Sequence, residues 1–189
     1  MDPFSYLSVL TSIVRALGIT RILTGLGRLL QKRGRVRVYW VHLMWGLNLF
    51  LYLTLNWWIL FRWQAQQQWT FFLFLFVLIS PTIGFLLSVL LFPDEIDDGS
   101  DLKRHFYHNH RSYFLLAALL FPIDAIDTLL KGWQHFLNQG PVYFLTLTLL
   151  CALCLVAAFT KNERYHAVFS VFFLIYLLAF ITINLRVLA

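Results

Sequence analysis

The sequence predicts an all-α integral membrane protein, a polytopic bundle of six transmembrane helices that form a single domain over residues 1–189. The first observation is composition, because 60% of the residues are hydrophobic and only 13% are charged, whereas soluble domains average about 25% charged residues. The second is that the apolar residues fall into six runs, each near the length of about 20 residues that a helix needs to cross a bilayer. The third is that these runs do not alternate polar and apolar residues, as the strands of a membrane barrel do. A soluble globular domain and a disordered chain are therefore excluded.

Short polar segments separate the six predicted spans, so consecutive helices are expected to be antiparallel. The spans cover residues 4–26, 40–61, 69–92, 112–133, 142–160 and 165–185. The polar segments between them cover residues 31–37, 62–68, 93–111, 135–141 and 161–164. Backbone groups in hydrocarbon must pair within their own segment, so each apolar run is expected to be helical.

Lysine and arginine residues are concentrated in or beside the first, third and fifth polar segments. These ten residues are Arg28, Lys32, Arg33, Arg35, Arg37, Lys103, Arg104, Arg111, Lys161 and Arg164. The other side of the membrane would hold only Arg62, Lys131 and Arg186. Because cytoplasmic loops carry the excess of basic residues, both termini are predicted to face outward, N-out and C-out. The net charge of +6 then belongs to loops that contact anionic lipid at the cytoplasmic face, and nucleic acid is not an expected partner.

A weak internal repeat relates residues 5–25 to residues 112–132. The identical pairs are Ser5/Ser112, Tyr6/Tyr113, Ile19/Ile126, Leu23/Leu130 and Gly25/Gly132. The second copy lies three spans after the first, so the halves would form a 3+3 inverted repeat, which is typical of transporters. The alternative is that leucine-rich helices match one another by chance.

Four ionisable residues lie well inside predicted spans: Arg15 and Arg21 in the first, Asp124 and Asp127 in the fourth. Counted at about 1.5 Å per residue from the cytoplasmic ends, Arg15 and Asp127 both lie about 22 Å deep, Arg21 about 14 Å and Asp124 about 18 Å. We therefore expect two ion pairs, Arg15–Asp127 and Arg21–Asp124, between neighbouring first and fourth helices. Such charges indicate either a charge-gated or proton-coupled transport path or an ion-pair clamp between two helices.

The first span also carries small residues at Thr11, Gly18 and Gly25, which recur every seven residues. Small residues at this spacing let another membrane helix approach closely. The sequence therefore predicts a helix-packing seam along this face.

The second span carries a polar stripe formed by His42, Asn48, Tyr52 and Asn56, with Trp45 on the same face. At 100° per residue these side chains fall within an arc of about 120°. The stripe indicates either the wall of a solute path or a set of hydrogen bonds to neighbouring helices.

Helix-breaking residues occur at the centre of the third span, at Pro81 and Gly84, and just before Asp124 in the fourth, at Pro122. Interrupted helices near buried acids are typical of transporters. Ordinary proline kinks are the alternative.

The third polar segment, 93–111, is acidic at first and then contains His105, His108 and His110. The acidic part lacks the ligand spacing of a calcium-binding EF-hand. The histidines are candidate metal ligands, although on a helix His110 points away from the other two. The alternatives are a pH response or a solvated start of the fourth helix with Asp101 as its N-cap. Cys151 and Cys154 are interpreted as packing residues, and no cofactor is expected.

Several segments resemble a family of short polytopic bacterial inner-membrane proteins of uncharacterised function. The segments are Leu17-Gly18-Ile19-Thr20, Gly25-Leu26-Gly27-Arg28-Leu29-Leu30, Trp57-Trp58 and Asp101-Leu102-Lys103-Arg104-His105-Phe106. The resemblance covers most of the chain and implies a bacterial inner membrane, but it carries no catalytic residue across.

Three functions follow as hypotheses. The first is a small channel or secondary transporter for an ion or small solute, with its site near the buried arginines and aspartates. The second is a non-transporting sensory or scaffold subunit that uses the loop 93–111, and the third is a metal-dependent membrane enzyme that uses the histidines. A bundle of this size with a glycine seam is also expected to form a homo-oligomer.

Overall fold

The computed structural model describes residues 3–66 and 68–184 and contains seven α-helices and no β-strand within that range. The helices are α1 (Pro3–Gln31), α2 (Trp40–Leu60), α3 (Phe71–Leu91), α4 (Leu102–Leu130), α5 (Trp133–Asn138), α6 (Gly140–Phe159) and α7 (Glu163–Asn184). All except the short α5 are long and apolar enough to cross a membrane. The prediction of six membrane-spanning helices is confirmed, and it indicates an integral membrane protein. Residue 185, which ends the sixth predicted span, and Arg186 lie outside the described residues.

Helix α4 begins ten residues before the predicted span, so the expected loop 93–111 is half helical. Asp101 is its N-cap, as one of the alternatives predicts, because its Oδ1 accepts hydrogen bonds from the backbone nitrogens of Lys103, at 2.9 Å, and Arg104, at 3.0 Å. The polar residues that follow the cap also form helix. The predicted span starts too late because hydropathy identifies only the lipid-embedded part of a helix. The histidines therefore lie on the first turns of α4.

The helices pack with α2 in a central position, in contact with α1, α3, α4 and α7. α3 packs against both α1 and α4, while α6 packs mainly against α4. The predicted close neighbours, the first and fourth spans, share no extended contact, so that prediction is wrong. The inverted repeat and the orientation of the termini stay predictions.

The predicted small-residue seam on α1 lies at a helix interface. Thr11, Gly18 and Gly25 are all buried. A Cβ atom on Gly18 would lie 3.4 Å from the Cα of Phe85 in α3. The seam therefore allows α3 to approach the backbone of α1.

The predicted interruptions at Pro81, Gly84 and Pro122 are not present, because α3 and α4 continue through all three residues. A proline removes one backbone hydrogen bond but leaves the rest of the helical ladder intact. Gly84 lies on a packed face, where a Cβ atom would approach the Cδ2 of Leu53 to 2.4 Å. Its small size serves close packing between α2 and α3 rather than a break.

Residues 32–39 and 92–101 pair with one another at one end of the bundle, here named the basic end, which also includes residues 160–162. The backbone nitrogen of Gly99 donates to the oxygen of Arg35 at 2.7 Å, and the nitrogen of Arg37 donates to the oxygen of Ser100 at 2.9 Å. Gly99 adopts a φ of 89°, a conformation that glycine accepts without steric cost. Three ion pairs cross the same two segments: Lys32–Asp97, Lys32–Asp98 and Arg35–Asp98. The acidic part of the third segment is thus the counter-charge of the first, although these exposed pairs add little stability.

Candidate functional site

A cavity of about 370 Å³ lies among α2, α4, α6 and α7. It extends from Asn56 and Gln139, toward the end of the bundle opposite the basic end, down to Trp45 and Cys154. Trp45 lies five residues into α2, about 8 Å along its axis. The cavity therefore occupies most of the depth of the bundle and ends near the basic end.

Packed aromatic rings form the floor of this cavity. The Trp45 ring lies 5.0 Å from Phe114 and 5.1 Å from Phe169, measured between centroids. Below them, His166 stacks on Phe114 at 5.3 Å. Phe114 is fully buried, so this layer closes the cavity toward the basic end among the described residues.

Part of the predicted polar stripe lies on the cavity wall. Asn48, Tyr52 and Asn56 all line it. Asn48 is fully buried, and its Nδ2 donates to the oxygen of Ser170 at 2.9 Å, while its Oδ1 has no partner in the described part of the chain. The Trp45 Nε1 likewise has no partner there. Two residues that line the floor of the cavity thus each carry a buried polar atom without a partner in the described part of the chain, an acceptor on Asn48 and a donor on Trp45.

His42, the remaining stripe residue, does not line the cavity. It is fully buried at the basic end, with its Nε2 2.7 Å from the oxygen of Leu91. It therefore serves helix packing, as the hydrogen-bonding alternative predicts.

Asp124 is the only charged residue that lines the larger cavity within the described chain. Its side chain is exposed. Its Oδ2 accepts a hydrogen bond from the Tyr143 hydroxyl of α6 at 2.7 Å. Sequence reasoning singled out Asp124 but missed Tyr143, because one tyrosine in an apolar run carries no periodic signal.

A second cavity of about 60 Å³ adjoins the first and shares Tyr52, Asn56 and Asp124 with it. Its wall also contains Arg15 and Asp127. Arg15 is only 3% exposed, and its Nε and Nη1 have no hydrogen-bond partner among the described residues. The space is polar and large enough to hold water, which would bridge these groups.

Neither predicted ion pair forms. Arg21 instead pairs with Asp94, at 2.7 Å from Nη2 to Oδ1, and donates to the oxygen of Phe92 at 2.9 Å. Asp127 pairs with Lys131 one turn along the same helix and accepts from the Trp63 Nε1 at 3.0 Å. The predicted pairing considered only residues deep in the spans, whereas long side chains reach partners near the helix ends. Asp124 and Arg15 nevertheless face the same small cavity.

Replacing Arg21 by methionine is expected to lower the free energy of unfolding by about 1–2 kcal/mol, because a charge-assisted bond to the Phe92 carbonyl is lost. Asp94→Ala should cost less, since the Asp94 side chain is 86% exposed. Unfolding of both purified variants in sodium dodecyl sulfate, followed by circular dichroism, measures the two costs. Equal losses of unfolding free energy in the two variants would contradict the larger contribution assigned to the Phe92 carbonyl.

The histidines do not form a metal site. His105 lies with Nε2 3.2 Å from the oxygen of Leu90, and His110 with Nδ1 2.7 Å from the oxygen of Tyr107. His108 is exposed. Over the described residues, no group of three or more His, Cys, Asp or Glu side chains is placed to hold a metal ion. The three candidate ligands are therefore not brought together there, because the helix directs the three rings to different neighbours.

Comparison with protein-family models, with curated proteins and with solved structures gives no match. The resemblance to short bacterial inner-membrane proteins therefore stays an expectation. The features from which a function can be inferred are the two cavities and the charged residues that line them.

Proposed function

We propose that this protein is a secondary transporter that binds a small amphipathic solute in the larger cavity. The observation that supports this most is a cavity of about 370 Å³ on whose wall Asp124 is the one charged side chain among the described residues. Ligand cavities are typically apolar with a few placed polar groups, and volumes of about 300–1,000 Å³ hold small molecules. The aromatic floor favours a carrier over an open channel, because an ion would meet packed rings rather than a continuous path.

Asp124 has a second role in this proposal, since it faces both cavities. On one side it meets the solute, and on the other it shares the smaller cavity with Arg15, whose Nε and Nη1 have no partner among the described residues. The positive charge of Arg15, acting through water between the two side chains, would partly compensate the charge of the carboxylate when the larger cavity is empty. A bound solute would then compete with Arg15 for the same carboxylate, which links solute binding to the arrangement of α1 and α4.

The proposal includes a setting. We place the protein in a bacterial inner membrane with the basic end in the cytoplasm, where its lysines and arginines meet anionic lipid. The larger cavity then extends toward the outer face. A homo-oligomer fits the many exposed apolar side chains, which lipid also covers.

Selective solute efflux tests this function. Liposomes containing the purified protein are loaded with a small-molecule extract of the expression host, and mass spectrometry identifies the compounds lost over time. We expect loss of one class of amphipathic compounds with no accompanying potassium or chloride conductance. Ala117→Trp, which fills the cavity wall on α4, should abolish the selective loss. Leu119→Trp, a position on the same helix that is 51% exposed, is the matched control and should keep it.

Two outcomes would contradict the proposal. Equal retention of every compound by protein-containing and protein-free liposomes would favour a non-transporting membrane subunit. A sustained potassium conductance that Ala117→Trp blocks would show a channel instead of a carrier.

A further inference from the structure

The charges around the larger cavity determine which solutes it accepts. Asp124 contributes the one charged side chain on its wall in the described chain, and no lysine or arginine lines it. Asp127 lies outside this cavity and is neutralised by Lys131. Arg15 lines the smaller cavity and not this one. A cation entering the larger cavity therefore meets a carboxylate, whereas an anion meets no counter-charge.

Aromatic side chains reinforce this selectivity. Eight of the residues on the cavity wall are aromatic, among them Tyr52, Tyr143 and Tyr176. The face of an aromatic ring attracts organic ammonium groups, and the attraction grows when water is excluded. A carboxylate surrounded by aromatic rings is suited to an alkylated ammonium more than to a metal cation, which requires several oxygen ligands.

The far end of the cavity carries different chemistry. Within the described residues, the Trp45 Nε1 has no acceptor and the Asn48 Oδ1 has no donor. Both residues are at least nine-tenths buried, at 3% and 0% exposure. Buried polar atoms without partners are costly, so a solute group that both donates and accepts, such as a hydroxyl or an amide, would satisfy them. The distance from these two residues to the Asp124 end follows from helix geometry, with Asn56, which lines both cavities together with Asp124, as the marker of that end. Asn48 is eight residues and Trp45 eleven residues from Asn56, which corresponds to about 12–17 Å along α2.

We propose that the larger cavity binds an elongated amphipathic organic cation, with its ammonium group at Asp124 and a hydroxyl or amide group at Trp45 and Asn48. The apolar middle of the molecule lies along Leu120, Leu147 and Leu150, which line the cavity between these two ends. This proposal names the solute class for the transport site and therefore rests on the proposed function.

Four ten-carbon probes test both ends separately: 10-aminodecan-1-ol, decylamine, decane-1,10-diol and 10-hydroxydecanoate. Their binding to the protein in lipid nanodiscs is measured by equilibrium dialysis, with empty nanodiscs as the background for partitioning into lipid. We expect 10-aminodecan-1-ol to bind most tightly. The diol, which lacks the charge, should bind about tenfold or more weakly, and the carboxylate probe should not bind above background.

Two variants assign the ends. Asp124→Asn should remove the preference for 10-aminodecan-1-ol over the diol, whereas Asp98→Asn, at the basic end, should leave it unchanged. Asn48→Leu should remove the preference for 10-aminodecan-1-ol over decylamine. If a variant fails to fold, the ranking of the four probes on the unaltered protein still tests whether the cavity prefers an elongated organic cation.

Equal binding of the ammonium and diol probes by the unaltered protein would overturn the solute class. Binding in nanodiscs requires no transport, so its failure differs from that of the proposed function. Ammonium binding without selective efflux would contradict only transport, and selective efflux of uncharged or anionic compounds would contradict only the solute class.

Discussion

Replacement of Arg15 by methionine is expected to stabilise the protein by about 1–3 kcal/mol, although Arg15 lies in the middle of α1 and is buried. The guanidinium has two nitrogens without partners among the described residues and no carboxylate within ion-pair distance there. In the detergent-unfolded state the same group contacts water and sulfate headgroups, so folding removes its solvation without direct replacement. Methionine fills similar space and carries no such cost. Unfolding in sodium dodecyl sulfate, followed by circular dichroism, measures the change.

Arg21→Met is the matched control, since Arg21 lies on the same helix but has direct partners. The two variants should shift stability in opposite directions. If Arg15→Met destabilises the protein as much as Arg21→Met does, Arg15 has a structural role, and the clamp interpretation of the buried charges is favoured. If it stabilises the protein and the efflux assay shows loss of selective transport, the arginine is kept for function at a cost in stability.

The six spans could be predicted from the sequence because hydrophobic length is a local property. A run of about 20 apolar residues identifies a membrane helix whatever it packs against. The start of α4 was mispredicted for the same reason, since hydropathy does not register its polar first turns. Asp101 carries a local signal of its own, as an N-cap residue, and its role was confirmed.

The charge partners could not be predicted from depth alone. Depth along a helix is one coordinate, and a partner also depends on which helices are neighbours. α3 packs against both α1 and α4. Arg21 of α1 therefore donates a hydrogen bond to the oxygen of Phe92 and forms an ion pair with Asp94, both just after α3. The sequence did carry an unused signal, because the acidic residues at 94–98 follow α3 directly and lie opposite a basic segment.

The candidate site was predicted in part. Periodicity placed Asn48, Tyr52 and Asn56 on one face of α2, and that face lines the cavity. Periodicity could not predict the opposite wall of the cavity, where the Tyr143 hydroxyl of α6 donates a hydrogen bond to Asp124. That contact depends on how two helices pack. Periodicity also could not separate His42 from the stripe, since the cavity ends above it on the same face.

The Phe92 ring fixes the packing of three helices at the basic end, and Gly25 determines whether it fits. Phe92 is fully buried directly after α3. A Cβ atom on Gly25 of α1 would lie 2.3 Å from its Cδ1, and a Cβ atom on Gly46 of α2 would lie 3.1 Å from its Cζ. The ring thus lies in space left by the missing side chains of two glycines, with His42 5.0 Å away between centroids, so a methyl group at position 25 requires the ring to shift.

Gly25→Ala is therefore expected to lower the free energy of unfolding by about 2–3 kcal/mol, the cost of overpacking a close helix contact. Gly27→Ala is the matched control on the same helix, because a Cβ atom there meets nothing within 4 Å, and alanine favours helix by about 0.5–1 kcal/mol. Unfolding in sodium dodecyl sulfate compares the two. Adding Phe92→Leu to Gly25→Ala should recover part of the loss, since the smaller side chain frees the space that the new methyl group needs. If Gly25→Ala and Gly27→Ala behave alike, or if Phe92→Leu adds its full cost to Gly25→Ala, the Phe92 ring is not what requires glycine at position 25.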